Sequence, residues 1–246
     1  SERAAMLRAL GHVQNVVERR NTIPILSNVL LKAEDGRLAL SAPDMDIEIV
    51  ARTPSQGTRA GSTTAPAHTL YDIVRKLRDG AQIELDAGGD KGQMVLRSGR
   101  STFTLACLPP EDYPLMSTGD LAHSFTVGAA DLKRLIDRTR FAISTEETRY
   151  YLNGIYLHAA RNNEVPMLRA VATDGHRLAR MEIPLPEGAA GMHGVIVPRK
   201  AVAEVRKQLY ADGAANQDVS ISRSESKIHL TVGERVLTSK LIDGTF

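Results

Sequence analysis

The chain has 246 residues, 42% of them hydrophobic, and a formal net charge of only +2, which allows a real core in one large domain or two ordinary ones. Trp is absent and aromatics make up 4%, so that core is aliphatic. No apolar run is long enough to span a membrane. The opening SERAAMLRAL lacks the apolar middle of a signal peptide, and the single Cys107, in the strand-like TFTLACL, excludes an internal disulfide and reads as a buried inert thiol of a cytoplasmic protein.

Met6, Leu7, Leu10, Val13, Val16 and Val17 recur at helical spacing and predict a helix over 2–18. A loop through ERRNTIP follows, then strands at ILSNVLLKA, RLALSA and DIEIVAR, the last two joined by PDM, and a weaker strand at TRAGSTTAPA. Leu70, Ile73, Val74 and Leu77 predict a second helix in AHTLYDIVRKL. QIELDA, QMVLRS and STFTLACL read as three strands separated by Gly-rich turns. The Pro-rich PPEDYPLMSTGD is a linker candidate, which places a first domain at 1–112, a linker at 113–122 and a second domain at 123–246.

After the linker the same grammar restarts. AADLKRLIDRTRFAI predicts a helix. YLNGIYLHA mirrors ILSNVLLKA, the stretch around VATDGHRLARMEI mirrors RLALSAPDMDIEIVAR, and VIVPRKAVAEVRKQL mirrors TTAPAHTLYDIVRKL. QDVSIS, KIHLTV and RVLTSKLI repeat the last three strands. Leu7 pairs with Leu132, Leu26 with Leu152, Asp44 with Asp174, Pro66 with Pro198 and Gly99 with Gly233; the spacing between partners widens slowly, as loop insertions make it do. Ordered matches of this kind indicate an internal duplication. Phe246 falls where a second linker is due, so a third unit is expected beyond this chain. Each unit holds two helices and several antiparallel strands, an α+β layer arrangement.

All four predicted helices carry an excess of cations: Arg3, Arg8 and His12; His68, Arg75, Lys76 and Arg78; Lys133, Arg134, Arg138 and Arg140; and Arg199, Lys200, Arg206 and Lys207. A helix layer that is positive in every unit suits a polyanion backbone. Aromatic interleaving that would stack bases is missing, as are Gly-rich phosphate loops and His or Cys pairs with metal-ligand spacing; no cofactor or metal is expected.

RNTIPILSNVLL, TRYYLNGIYL, VATDGHRLA, VIVPRK and TSKLIDGTF, in this order and spanning the chain, resemble the bacterial replicative sliding-clamp family, the β subunit of DNA polymerase III. The resemblance implies repeated DNA-clamp domains, three per subunit, with helices lining a ring and sheets outside. Two subunits close head to tail around duplex DNA. This chain resembles the first two domains, the first without its opening strand, and lacks the third.

By the same resemblance, the chain is a non-catalytic processivity factor. Its implied partners are double-stranded DNA without sequence preference, the replicative polymerase catalytic subunit, the clamp loader, other proteins with a clamp-binding motif, and a second copy of the full-length protein, with no membrane. DNA contacts carry over to Arg20, Arg134, Tyr150, Tyr151, Arg199 and Lys200. A partner-peptide groove carries over to Leu152, Thr173, Gly175, His176, Arg177 and Leu178. Arg199 and Lys200 stand at a helix start, where the dipole disfavours cations unless an external anion is present. Asp174 reads as a turn cap. The alternative is a hydrolase using Asp174 and His176, which no nucleophile or metal partner accompanies.

Overall fold

The computed structural model describes residues 1–246 apart from 20, 90, 91 and 118. The chain divides into two compact units, Ser1–Met116 and Ser117–Phe246.

In unit one, α1 (Arg3–Gln14) is followed by a 3-10 turn at Pro24–Ser27, then β1 (Asn28–Glu34), β2 (Arg37–Pro43), β3 (Ile47–Pro54), β4 (Gly61–Pro66), α2 (Ala67–Lys76), β5 (Glu84–Asp86), β6 (Gln93–Ser98) and β7 (Ser101–Ala106). The first four strands form an antiparallel sheet in the order β4-β1-β2-β3, and the last three a sheet in sequence order. The β1–β2 hairpin closes through Asp35 and Gly36, both at positive φ, as its two-residue turn requires. Helix α1 buries Met6, Ala9, Leu10 and Val13 against β2 and β3, and packs beside α2, which buries Ala67, Leu70 and Val74. Cys107 is buried, and burial pushes its thiol pKa up.

Unit two runs β8 (His123–Gly128), α3 (Ala129–Asp137), 3-10 turns at Arg140–Ala142 and Glu147–Leu152, β9 (Gly154–Asn162), β10 (Val165–Thr173), β11 (Leu178–Pro184), β12 (Val195–Pro198), α4 (Arg199–Tyr210), β13 (Asp218–Arg223), β14 (Lys227–Val232) and β15 (Arg235–Lys240). Its first sheet has the order β12-β9-β10-β11, the same as β4-β1-β2-β3, and β13, β14 and β15 repeat β5, β6 and β7 with β8 added beside β13. The fold is α+β, and the duplication holds strand by strand. Leu132, Leu135, Leu157, Ala170, Val202 and Leu230 are among the aliphatic residues around a cavity of about 40 Å³ in this unit's core.

Three boundaries differ from those the pattern predicts. Helix α3 stops at Asp137 rather than running to Ile143, because the fully buried Thr139 turns its hydroxyl back onto the Leu135 carbonyl at 2.7 Å. Helix α1 stops at Gln14, and Val16 and Val17 are buried from a turn instead. Tyr113, at the start of the expected linker, is buried in unit one, where its hydroxyl donates to the Ser41 carbonyl.

Candidate binding sites on the second unit

The β10–β11 connection, Asp174 to Arg177, is a turn built from its own side chains. Asp174 Oδ1 accepts the backbone N–H groups of His176 at 2.9 Å and Arg177 at 3.0 Å, and Oδ2 accepts Arg177 Nε at 3.0 Å. These amides, with the Arg177 guanidinium, hold the Asp174 carboxyl down to about 2. Thr173 Oγ1 donates to the Arg177 carbonyl at 2.7 Å and accepts from Gly175 N at 3.1 Å. Gly175 sits at φ +88°, and a Cβ there would lie 2.5 Å from a terminal nitrogen of Arg149. Asp174 is thus a cap whose carboxylate stays ionised and engaged, which leaves it unsuited to the proton transfer a hydrolase would ask of it.

What the turn presents is His176, Arg177 and Leu178. All three are exposed, and Leu178 is 64% accessible. Beside them stands Phe141, 56% accessible, with the Arg177 guanidinium 5.5 Å from its ring centroid. Phe141 carries no signal as a site residue in the sequence, where RFAI reads as the end of a helix; it lies exposed in the 3-10 turn Arg140–Ala142. Leu152 is placed differently from Leu178: at 8% accessible it is a buried plug beneath the surface.

The 3-10 strap Glu147–Leu152 connects the two groups of candidate residues. Arg149, at non-helical φ/ψ within the strap, donates to the Asp174 carbonyl at 3.3 Å and makes a two-pronged ion pair with Glu146 at 2.8 and 2.9 Å. That pairing holds the Glu146 carboxyl below its usual range. Arg149 was also missed in the sequence, where a lone Arg before YYLNG carries no signal. The next residues, Tyr150 and Tyr151, pack edge to face with centroids 5.8 Å apart. Asn153 then ties the strap to α4. Its N–H donates to the Tyr150 carbonyl at 3.0 Å, and its carbonyl accepts Arg199 N at 2.9 Å.

The strap that bears Tyr150 and Tyr151 is therefore joined by backbone to the start of α4, which bears Arg199 and Lys200. Helix α4 begins after Pro198 with no side-chain cap and no acid in its first turn, and Arg199 and Lys200 are exposed there. Arg199 N is taken by the Asn153 carbonyl; the later amides of the first turn and the two cations favour an anion at this end. Arg134, exposed on α3, pairs with Asp131 at 2.8 Å. Arg20 lies outside the described residues. Two cations counted on the helices have internal duties. Arg3 donates to the Val74 and Arg75 carbonyls and pairs with Asp79, closing the end of α2. His68 Nε2 lies 2.7 Å from the Val17 carbonyl. Among the described residues no group of three or more His, Cys, Asp or Glu could hold a metal ion, and no helix is long and apolar enough to cross a membrane.

Two family models match. The DNA polymerase III beta subunit N-terminal domain covers residues 1–117, and the central domain of the same subunit covers 126–246. The chain is 56% identical over 245 residues to the beta sliding clamp of Caulobacter vibrioides and 40% identical over 246 residues to that of Escherichia coli K12. All of this chain is matched, against 65% and 64% of those proteins, so it spans slightly less than two thirds of their length. Among solved structures, the Caulobacter crescentus beta sliding clamp superposes with a TM-score of 0.94 at 55% identity, covering all of this chain and 65% of that one. A Bartonella birtlesii sliding clamp bound to griselimycin gives 0.94 at 50% identity, again over all of this chain and 64% of that one.

Proposed function

Since the chain belongs to the DNA polymerase III beta subunit family, we propose that it forms the first two domains of a cytoplasmic, non-catalytic sliding clamp. The full-length protein would close head to tail with a second copy, its helices toward the hole and its sheets outside. The ring would encircle duplex DNA and tether the replicative polymerase catalytic subunit. The clamp loader and other proteins with a clamp-binding motif would use the same peptide groove.

The observation that carries this reading is the backbone link through Asn153, which joins the strap bearing Tyr150 and Tyr151 to the start of α4 bearing Arg199 and Lys200, where no acid stands in the first turn. Cations at a helix N-terminus oppose the helix dipole and are relieved by an external anion. Phosphates supply that anion at every step of a duplex, so such contacts hold DNA without reading its sequence and are compatible with sliding. Arg134 adds a third cation from α3. The test is duplex binding by the Arg134→Glu, Arg199→Glu, Lys200→Glu triple variant. Affinity should fall equally for unrelated sequences, and the dependence of log affinity on log salt should become shallower by about three. Loss confined to one sequence, or no loss, would refute the DNA assignment.

For partners, Leu178 and Phe141 offer apolar area beside His176 and Arg177 on a turn held rigid from within. The Bartonella clamp's bound griselimycin shows that a clamp of this fold accepts a ligand. We assign the groove to Leu152, Thr173, Gly175, His176, Arg177 and Leu178, with Phe141 beside them and Leu152 as its floor. One or two bulky anchors buried there contribute about 1.5–3 kcal/mol each. Two such anchors supply about 3–6 kcal/mol, short of the roughly 8 kcal/mol of a micromolar complex, so the groove by itself holds a peptide weakly enough for partners to exchange. Leu178→Ala should weaken a polymerase-derived peptide without lowering thermal stability.

A further inference from the structure

A second cluster of charge stands where α3 meets α4. Tyr210, exposed in the last turn of α4, has Lys133 Nζ of α3 at 3.7 Å from its ring centroid and the Arg206 guanidinium at 4.3 Å. Its hydroxyl donates to Asp137 Oδ2 at 2.6 Å, while Arg206 Nε donates to Asp137 Oδ1 at 2.7 Å and Arg140 Nε lies 4.0 Å from the same oxygen. Burial raises the Asp137 carboxyl, but the hydrogen bonds from Tyr210 and Arg206 and the charges of Arg206 and Lys133 outweigh it, and the net shift is downward. One ionised carboxylate is thus surrounded by three cations.

We propose that Tyr210 is a positioning residue that holds Lys133 and Arg206 together as one phosphate seat for the backbone of duplex DNA. A latch between two helices needs one cation and one acid, and Asp137 with Arg206 already supplies that. Lys133 adds a second cation on the same ring and within the field of Asp137, more positive charge than the latch requires. The ring attracts both cations and removes much of their rotamer freedom beforehand, so less entropy is lost on binding. Both groups keep donors for phosphate: Arg206 uses only Nε on Asp137, and the ammonium has three N–H groups. The seat lies on the same two helices that carry Arg134, Arg199 and Lys200, and the inference rests on the duplex-binding reading above.

The test combines lysine acetylation footprinting with fluorescence anisotropy on a short mixed-sequence duplex at low salt. Duplex should protect Lys133 from acetylation in the parent chain. Tyr210→Phe keeps the ring and should bind within about twofold of the parent, whereas Tyr210→Leu should bind roughly three- to tenfold more weakly with a salt slope shallower by one to two. Protection of Lys133 should be lost in the Leu variant alone. Equal acetylation of Lys133 with and without duplex in the parent would overturn the seat, and so would a Leu variant that melts lower yet binds as before. Neither result touches the broader reading, which fails separately if Arg199→Glu with Lys200→Glu leaves duplex affinity unchanged.

Discussion

The turns that join the second and third strands of the shared sheet make the two units unlike. In unit one the β2–β3 connection is Asp44-Met45-Asp46, closed by Asp44 N on the Ile47 carbonyl at 2.6 Å, with Met45 66% accessible at its tip. In unit two the β10–β11 connection is one residue longer and includes Gly175 at positive φ. That residue lets Asp174 collect two amides and its own arginine, and lets Arg149 pass beneath at a distance no side chain at position 175 would permit. The scaffold is common to both copies, and the self-capped loop belongs to one. On the proposed reading, recognition rests on one added residue and a glycine in an otherwise repeated sheet.

The largest test of that division uses the leucines both units share. Leu26 and Leu152 match in the repeat and are 6% and 8% accessible. Leu26→Ala and Leu152→Ala should each destabilise by about 2–4 kcal/mol. Leu178→Ala, on the unshared turn, should stay within about 0.5 kcal/mol. Chemical denaturation of the three variants measures this, and a Leu152→Ala variant as stable as the parent would show that the floor of the groove does not also support the scaffold.

Gly175→Ala comes next. It meets both the positive φ and the guanidinium of Arg149, at a cost of about 1–3 kcal/mol. The strain is confined to the turn, so calorimetry should show peptide affinity falling by about tenfold or more. Unit one has no glycine there to lose, and Met45→Ala should change neither stability nor peptide binding.

The hairpins before these turns give a smaller contrast. Unit one spans the β1–β2 tip with Asp35-Gly36, whereas unit two uses Asn163-Glu164, with Glu164 at φ +67°. Replacing Glu164 by Gly removes that strain at the expense of an exposed ion pair with Arg161, which contributes little. The variant should gain about 0.5–1 kcal/mol, read as a higher melting temperature.

The smallest effect is on pH. Asp174 has its carboxyl depressed to about 2 in the folded turn. The capping contribution is therefore complete above the ordinary carboxylate value of about 4 and disappears as pH falls through about 2. Amide exchange at His176 and Arg177, after correction for its intrinsic pH dependence, should accelerate over that window.

The repeat was readable because strands that bury one face must alternate, and because loop tips need Gly, Asn or Asp. Gly99 and Gly233, both at φ +58°, occupy equivalent loop tips for the second reason, and Leu7 and Leu132 hold matching places in α1 and α3 through the helical period. The turn at Asp174-Gly175 was readable from the same chemistry. Arg149 and Phe141 were not, since each owes its place to a partner distant in sequence: Arg149 to the Asp174 carbonyl of the turn, Phe141 to Arg177 of the same turn. The same holds for Arg3, whose charge looked available and is spent on the carbonyls of α2. Helical period alone also overestimates length, as α1 and α3 show.

The void in the core of unit two has a mechanical consequence. Its lining offers no polar atom to hold water, so the space is eliminated when the packing around it opens, and the volume of the system decreases. Hydrostatic pressure therefore acts on it directly. Because β9 and β10 form part of its wall through Ile155, Leu157 and Ala170, compression reaches the strand that ends at Thr173. Ala170→Val would fill part of the space and make that strand stiffer under load.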